Sequence, residues 1–332
     1  MPDIPLLVII TVLLALLFDY TNGFHDTANA IATVVSTRVM SARAAVLMAT
    51  AFNFLGAFLT TQVAITIANG LLVPEHASNL VIIAATFGAI CWNLLTWYFA
   101  IPSSSSHALI GGLIGAALFH KGIEAIYWKQ IILKVIAPMF LAPGVGFLIG
   151  FLAMVLIYLT CAKKQALHLK PIFRYLQISA GAFKALSHGQ SDAQKTMGII
   201  TIALFTAGIQ KGYTVPLWVI LASASAVALG TAAGGWRIVQ TMGTKIMHVE
   251  PVHGFAADTS AALVVFTTSL LGMPISTTQV VAASIFGVGT AKRASGVRWL
   301  VGQKLIVAWI LTLPAAAIIS GLTYVIIALF HH

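Results

Sequence analysis

The sequence predicts an all-α polytopic membrane protein made of two inverted-topology repeats, with broken helices and re-entrant hairpins. Composition is the first reason, because 59% of the 332 residues are apolar and only 8% are charged. An ordinary soluble domain is about a quarter charged, so this composition argues against a soluble enzyme, a nucleic-acid-binding module and a disordered scaffold. The other two reasons are a series of long apolar stretches and a pair of motifs that each occur twice.

The apolar stretches come in two lengths. The longer ones can cross or deeply enter about 30 Å of hydrocarbon, and they cover 4–20, 44–68, 80–100, 131–160, 215–233, 255–271 and 299–330. No Lys or Arg precedes the first of them, which predicts a retained membrane segment rather than a signal peptide. The shorter ones follow clusters of Gly, Ser, Thr, Asn or Asp, and cover 27–40, 107–119, 193–208 and 279–289. Such clusters break or cap helices, so the pattern predicts helices interrupted inside the membrane, where the freed backbone groups must face protein or a cavity.

Two motifs occur twice, in the same order. The sequence NGFHD at 22–26 is matched by HGQSD at 188–192, an offset of 166 residues, and PSSSSH at 102–107 is matched by PISTTQ at 274–279, an offset of 172 residues. Two different motifs at nearly the same offset indicate an internal duplication. We therefore expect a first repeat over 1–160, a basic connector over 161–186 and a second repeat over 187–330.

The distribution of Lys and Arg predicts the topology. Three crossings in each repeat would place one set of cations in the cytoplasm: Arg38, Arg43, Lys163, Lys164, Lys170, Arg174, Lys184, Arg237, Lys245, Lys292, Arg293, Arg298 and Lys304. The opposite side would hold Lys121, Lys129, Lys134 and Lys211, and Lys195 would lie at membrane depth. This asymmetry follows the positive-inside rule, and it predicts that both termini are outside. The connector, with five cations and no acid, is expected to be a cytoplasmic loop that signals topology and contacts anionic headgroups, or that meets a regulatory partner.

A few acids lie inside or beside the apolar stretches. An ionised carboxylate at membrane depth costs at least about 2.5 kcal/mol on insertion scales, so Asp26 and Asp192, which match in the two repeats, are predicted to hold a cation or a proton. Asp258 and His25 are further candidates for cation coupling. Asp19 has no counterpart in the second repeat, which leaves a local hydrogen-bonding role as open as a functional one.

The two Pro-hydroxyl motifs each precede a short apolar helix. A helix start offers unpaired N–H groups and a partial positive charge, which is the environment that an oxyanion needs. Inverted repeats would direct both helix starts at one point near the membrane midplane, which is typical of secondary transporters. The sequence therefore predicts an anion site at Ser104, Ser105, Ser106, Ser276, Thr277 and Thr278.

Lys195 and four histidines accompany these motifs. Lys195 matches Asn29 of the first repeat, and we expect it at the edge of the site, paired with an aspartate or in contact with the anion. His25, His107, His188 and His253 suit a protonation role, and their spacing is not that of a metal site such as His-Glu-x-x-His.

These motifs resemble the four signatures of the inorganic phosphate transporter (PiT) family of secondary carriers. The matching segments are GFHDTAN at 23–29, PSSSSH at 102–107, GQSDAQK at 189–195 and PISTT at 274–278. The resemblance implies a cation-coupled phosphate symporter that forms a homodimer. Carried over residue by residue, it places the phosphate site at Asp26, Asn29, Ser104, Ser105, Ser106, Asp192, Lys195, Ser276, Thr277 and Thr278, with the coupling ions near the paired aspartates.

The sequence departs from the family pattern at two positions. Gln279 replaces a His that often follows the second Ser/Thr cluster, and Ser191 replaces a common Asn. Both differences leave the coupling ion open between H⁺ and Na⁺. Whether phosphate travels free or as a complex with a divalent metal is also open, as is any protein-bound metal, and no cofactor is expected.

Three other functions remain at this point. The first is symport of sulfate or another oxyanion, although a carboxylate in the pocket would accept a hydrogen bond from hydrogen phosphate and not from sulfate. The second is a passive anion channel. The third is an intramembrane serine hydrolase, which is disfavoured because no Gly-x-Ser-x-Gly elbow is present. A transporter that is not an enzyme, in a bacterial inner membrane and without a nucleic-acid partner, is the simplest expectation.

Overall fold

The computed structural model describes residues 5–161 and 166–330. Within these ranges the chain forms thirteen α-helices joined by short turns, and no β-strand. The helices are α1 Leu6–Ser36, α2 Ala42–Gly56, α3 Gln62–Gly70, α4 Asn79–Tyr98, α5 Ser105–Lys121, α6 Trp128–Ile131, α7 Ala137–Cys161, α8 Ala166–Thr206, α9 Leu217–Ala233, α10 Trp236–Thr244, α11 Pro251–Leu270, α12 Thr277–Arg293 and α13 Trp299–Leu329. Five helical runs of the described chain are long and apolar enough to cross a membrane: Leu6–Ser36, Asn79–Tyr98, Ser105–Ala125, Trp128–Cys161 and Trp299–Leu329. The predicted all-α polytopic membrane class is confirmed.

The order of helix lengths in the first half recurs in the second half. Both halves contain, in this order, a long helix, a medium helix, a nine-residue helix, a 20-residue helix, a 17-residue helix and a second long helix; the first half has the additional four-residue helix α6 before its second long helix. The packing is reciprocal as well, because α1 packs on α9 as α8 packs on α2, and α5 packs on α13 as α12 packs on α7. This correspondence agrees with an internal duplication. The inverted orientation of the two halves stays a prediction.

The first motif of each repeat does not break its helix. α1 and α8 run without interruption through 22–26 and 188–192. The predicted breaks at these two places are therefore wrong, and the short apolar stretches 27–40 and 193–208 continue the long helices α1 and α8.

The glycines of these motifs serve helix packing instead. A Cβ atom added at Gly23 would lie 2.5 Å from the carbonyl oxygen of Val227 on α9, and one added at Gly189 would lie 2.1 Å from that of Asn53 on α2. Small residues let helix backbones approach closely in membrane proteins. The motif glycines therefore fix how each long helix packs on the medium helix of the other half.

The Pro-hydroxyl motifs do interrupt the chain. Residues 99–104 separate α4 from α5, and residues 271–276 separate α11 from α12. Ser104 and Ser276 are the N-cap residues, and their Oγ atoms accept hydrogen bonds from the backbone N–H groups of His107 and Gln279 at 3.2 and 3.3 Å. The run Ser105–Ala125 is itself long and apolar enough to span, so the re-entrant course of these hairpins stays a prediction.

The predicted connector is largely helical. Residues 166–186 form the first half of α8 rather than a loop, and Lys163 and Lys164 lie outside the described residues. Lys184 was expected in the cytoplasm, but its side chain is buried. Counting Lys and Arg along the sequence could not show that α8 places Lys184 in the interior.

The buried apolar side chains form two clusters. The first contains Phe18 with residues of α3, α4, α5 and α9, and the second contains Ala28 with residues of α2, α10, α11 and α12. Between them, residues 19–27 of α1 are mostly polar and buried. The fold thus places a polar layer in the interior, between two apolar layers.

The substitution Gly189→Ala tests the packing of α8 on α2. The new methyl group would overlap the backbone of Asn53, and overpacking of this kind costs about 1–3 kcal/mol. We expect a clear fall in the Tm of the purified protein in detergent. Gly144→Ala is the control, since nothing lies within 4 Å of a Cβ atom there. Equal Tm values for the two variants would contradict this account of the motif glycine.

Candidate functional site

One face of α1 carries the buried polar side chains of the first half. Asp19, Asn22, Asp26, Asn29 and Thr33 are all buried. Their spacing of three and four residues places them in one row along the helix. The uninterrupted helix therefore supplies a polar stripe that runs from one apolar cluster to the other.

α8 presents a matching row from the second half. Lys184, His188, Asp192 and Lys195 are buried and again three or four residues apart. α1 and α8 pack against each other, so the two rows meet across the interior and bring Asp26 and Asp192 together.

Asp26 is held by groups of the first half. Its Oδ1 atom lies 2.7 Å from Nδ1 of His25, and its Oδ2 atom accepts a hydrogen bond of 2.9 Å from the hydroxyl of Ser105 at the start of α5. The other ring nitrogen of His25 lies 3.1 Å from the hydroxyl of Thr96. The carboxylate is thus positioned between its own helix and the first Pro-hydroxyl motif.

Asp192 is held by groups of both halves. Its Oδ1 atom lies 2.8 Å from the ammonium nitrogen of Lys195. Its Oδ2 atom accepts a 3.1 Å hydrogen bond from the amide of Asn22 and lies 3.3 Å from Nε2 of His188. The ammonium of Lys195 also donates a 3.2 Å hydrogen bond to Ser105. Lys195 therefore connects the second aspartate to the hydroxyl that contacts the first.

Asp26, His188 and Asp192 form a compact group. One ligand atom from each residue lies within 4.8 Å of the other two, and all three side chains are buried. Carboxylate oxygens and an imidazole nitrogen are ligands for protons and for small metal cations. The group can bind a positive charge in addition to that of Lys195.

The two Pro-hydroxyl motifs contact each other directly. Ser106 donates a 2.8 Å hydrogen bond to the carbonyl oxygen of Ile275, and the amide of Gln279 lies 3.5 Å from Nδ1 of His107. The amide of Asn29 donates a 2.8 Å hydrogen bond to Thr278 in the first turn of α12. The first turns of α5 and α12, with their unpaired N–H groups, therefore lie beside each other and beside α1.

Most predicted site residues lie in this single cluster. The buried ones that the structure brings together are His25, Asp26, Asn29, Ser104, Ser105, Ser106, Asp192, Lys195, Ser276, Thr277 and Thr278. His107 joins them through Gln279. His253 does not, because it forms a capping box with Glu250 at the start of α11.

Asp258 of α11 contacts α1 at Thr33, about one helical turn beyond Asn29. Its carboxylate pairs with the ammonium of Lys184 and accepts a hydrogen bond from Thr33, which is four residues beyond Asn29. The predicted acid is thus neutralised by a lysine that sequence reasoning assigned to the cytoplasm. The spacing 184, 188, 192 and 195 was the available signal, because it places Lys184 on the face of α8 that carries Asp192.

Asp19 is fully buried, and neither of its carboxylate oxygens has a hydrogen-bond partner among the described residues. Asp192 and Lys195 are close enough to act on it electrostatically. Asn22 and Thr196 are further polar neighbours that act on Asp19, so both of its predicted roles stay predictions, and it adds a third acid to the polar stripe.

Removing the charge of Lys184 tests whether it serves to neutralise Asp258. A buried carboxylate that loses its partner costs about 3–5 kcal/mol, so Lys184→Met is expected to lower the Tm strongly. The double variant Lys184→Met/Asp258→Asn should recover much of this loss, because it removes both charges.

Lys292→Met is the matched control, since Lys292 pairs with Glu250 at 3.7 Å on an exposed surface. An exposed ion pair contributes about 0–1 kcal/mol, and the Tm should barely change. A double variant as unstable as Lys184→Met would show that packing, rather than charge, explains the burial of Lys184.

Known proteins resemble this chain along almost its whole length. A family model described as the phosphate transporter family matches residues 22–320. A probable low-affinity inorganic phosphate transporter of Rhizobium meliloti is 46% identical over 312 residues, which is 93% of each chain. A protein of the same description from Bacillus subtilis is 43% identical over 325 residues, which is 97% of each chain.

A solved structure titled the sodium-dependent phosphate transporter has the same fold. It matches with a TM-score of 0.90 at 24% sequence identity, over 97% of this chain and 99% of that one. The names of the relatives confirm the expectation of a transporter rather than an enzyme, which removes the serine hydrolase alternative. Because this family model matches residues 22–320, which include Asp26, Asp192 and both Pro-hydroxyl motifs, the chain belongs to the phosphate transporter family.

Proposed function

We propose that this chain carries inorganic phosphate across the membrane together with a coupling cation, as a symporter that works by alternating access. One observation carries the proposal: a buried cluster joins two aspartates, one from each half, to the capped starts of α5 and α12. Ser105 of α5 bonds Asp26 and, through Lys195, is linked to Asp192, while Asn29 bonds Thr278 of α12. Family membership favours phosphate over sulfate or another oxyanion as the transported anion.

The helix starts supply the anion site. Hydroxyl groups at Ser105, Ser106 and Thr278 are now bonded to Asp26, to a carbonyl oxygen and to Asn29. A phosphate ion can exchange for these partners, because it accepts hydrogen bonds from the hydroxyls and from the unpaired backbone N–H groups of both helices. Hydrogen phosphate also has an O–H group that an aspartate can accept, and sulfate has none, which gives the pocket a basis for discrimination.

The charge of the cluster makes a coupling cation necessary. Asp26 and Asp192 carry two negative charges, and Lys195 supplies one positive charge beside them. A phosphate dianion would add two more negative charges in a buried site, where like charges strongly disfavour one another. A bound cation offsets this repulsion, so the affinities for phosphate and for the cation rise together.

The contacts of the two aspartates favour protons as the coupling ions. His25 lies against Asp26 and His188 lies against Asp192, so a proton taken up by either ring produces an ion pair in place. The Lys195 ammonium already occupies one oxygen of Asp192, which reduces the oxygen ligands left for Na⁺. Entry of phosphate as a divalent metal complex is the second candidate, because Asp26, His188 and Asp192 are close enough to receive the metal.

The remaining expectations concern placement and assembly. Removing buried Lys184 from the thirteen cations assigned to the cytoplasm leaves twelve against four, which still favours termini outside. We propose an inner-membrane location, as suits a chain with bacterial relatives, and a homodimer, as the family resemblance implies.

The variants Asp26→Asn and Asp192→Asn test the roles of the paired aspartates. Each removes a charge that the coupling cation must offset, so gradient-driven uptake of ³²P-phosphate into proteoliposomes is expected to fall at least tenfold. Glu124→Gln is the control, because Glu124 is an exposed acid outside the cluster that contains Asp26 and Asp192. Wild-type uptake by either aspartate variant would contradict the assignment.

Imposed gradients test the coupling ion. We expect an inward proton gradient without Na⁺ to drive accumulation of phosphate above its external concentration, because the His–Asp contacts provide the cation sites. An inward Na⁺ gradient at equal pH should produce only equilibration. Accumulation driven by Na⁺ alone would overturn the proton assignment, and no accumulation under either gradient would favour a passive channel.

The same vesicles test the metal complex. Uptake under the proton gradient is measured with Mg²⁺ present and with Mg²⁺ removed by a chelator. Unchanged uptake indicates free phosphate as the cargo, whereas loss of uptake that returns with Mg²⁺ indicates the metal complex.

A further inference from the structure

A large cavity opens at the end of the bundle away from the first turns of α1. It has a volume of about 1020 Å³. We call it the basic cavity, and it is lined by Thr37, Arg38, Val39, Met154, Ile157, Tyr158, Cys161, Leu169, Lys170, Pro171, Phe173, Arg174, Tyr175, Glu250, Pro251 and Val252. These residues come from the ends of α1 and α7 and from the first turns of α8 and α11. The cavity is therefore distinct from the cluster around Asp26 and Asp192.

Three cations line the basic cavity and lack acidic partners. Arg38, Lys170 and Arg174 are exposed, and none of them forms an ion pair with an acid of the described chain. The acid on the wall is Glu250, whose carboxylate caps α11 and lies 3.7 Å from Lys292. The cavity thus carries an excess of positive charge that no ion pair among the described residues offsets.

The rest of the lining is amphipathic. Met154, Ile157, Leu169, Phe173 and Val252 form an apolar wall. Tyr158 and Tyr175 add phenol hydroxyl groups to the lining as further hydrogen-bond donors, whereas Thr37 already donates its hydroxyl to the carbonyl oxygen of Thr33. A ligand that matches this lining has a negatively charged head that accepts hydrogen bonds and an apolar portion attached to it.

We propose that the basic cavity binds the phosphate-bearing headgroup of an anionic phospholipid, with the beginning of its acyl chains against the apolar wall. Three cations near a membrane surface favour a lipid of net negative charge over a zwitterionic one. The hydroxyl groups would bond the phosphate oxygens, and the guanidinium groups of Arg38 and Arg174 suit a phosphate through paired N–H donors.

Free inorganic phosphate could make the same contacts with the cations and hydroxyl groups of the basic cavity. It would leave the apolar wall unused. The lining therefore favours the lipid. Because α8 and the residues directly after α1 line the cavity, and both helices carry site aspartates, a bound headgroup would connect the end of α1 to α8. The lipid proposal does not depend on what the protein transports.

The test compares lipids on the purified protein in detergent. Phosphatidylglycerol is titrated while binding is followed by native mass spectrometry and by the Tm, with phosphatidylcholine and inorganic phosphate in parallel. The variant is Arg38→Gln/Lys170→Gln/Arg174→Gln, and the matched control is Lys121→Gln/Lys129→Gln/Lys211→Gln, which removes three exposed cations elsewhere. We expect the cavity variant to bind phosphatidylglycerol at least about tenfold more weakly, and the control to bind it as the wild type does.

Two outcomes would overturn the proposal. One is equal phosphatidylglycerol affinity in the wild type and the cavity variant. The other is a Tm rise with inorganic phosphate that the cavity variant loses while its response to phosphatidylglycerol is unchanged, which would identify free phosphate as the ligand. The single variant Arg174→Gln, expected to show a smaller loss in the same direction, provides the comparison if the triple variant has a lowered Tm without lipid.

Discussion

The ion pair between Lys195 and Asp192 is the constraint on which the rest of the structure depends. Two charges buried between apolar layers are costly unless each is closely paired and hydrogen-bonded. Lys195 meets this condition by contacting Asp192 and Ser105 together, and Ser105 in turn bonds Asp26. A shift of α5 or α8 by a fraction of a helical turn would separate these groups. The close glycine contacts and the serine caps are therefore requirements of the electrostatics as much as of the packing.

The two halves interlock rather than lie side by side. α5 packs on α13 and α12 packs on α7, so each short helix that begins at a Pro-hydroxyl motif is supported by the last long helix of the other half. Gly115 and Gly287 allow this, since a Cβ atom at either would lie 2.0 Å from a backbone oxygen of the supporting helix. A movement of either helix start would therefore involve elements of both halves.

Sequence reasoning succeeded where composition or repetition decided the answer. Composition predicted the membrane helices. Repetition of the motifs predicted that Asp26, Asp192 and the hydroxyl clusters lie together. It failed at Gly23 and Gly189, because a glycine that breaks a helix and a glycine that admits a neighbouring backbone look alike in a local sequence. It also failed at Lys184, because the positive-inside rule counts cations without knowing where a helix begins. The pairing of Lys184 with Asp258 is a long-range contact that only the packing of α11 on α8 produces.

Position 29 in the first motif corresponds to position 195 in the second, and the two carry asparagine and lysine. A symmetric assembly of two identical half-length chains could offer such a site either no ammonium group or two. Two asparagines would leave the aspartates without a fixed positive charge, and two lysines would neutralise both aspartates. A symmetric pair of identical chains cannot place a single ammonium group beside two carboxylates. Joining the halves in a single polypeptide allows positions 29 and 195 to differ, so that one ammonium group, that of Lys195, lies beside the two aspartates.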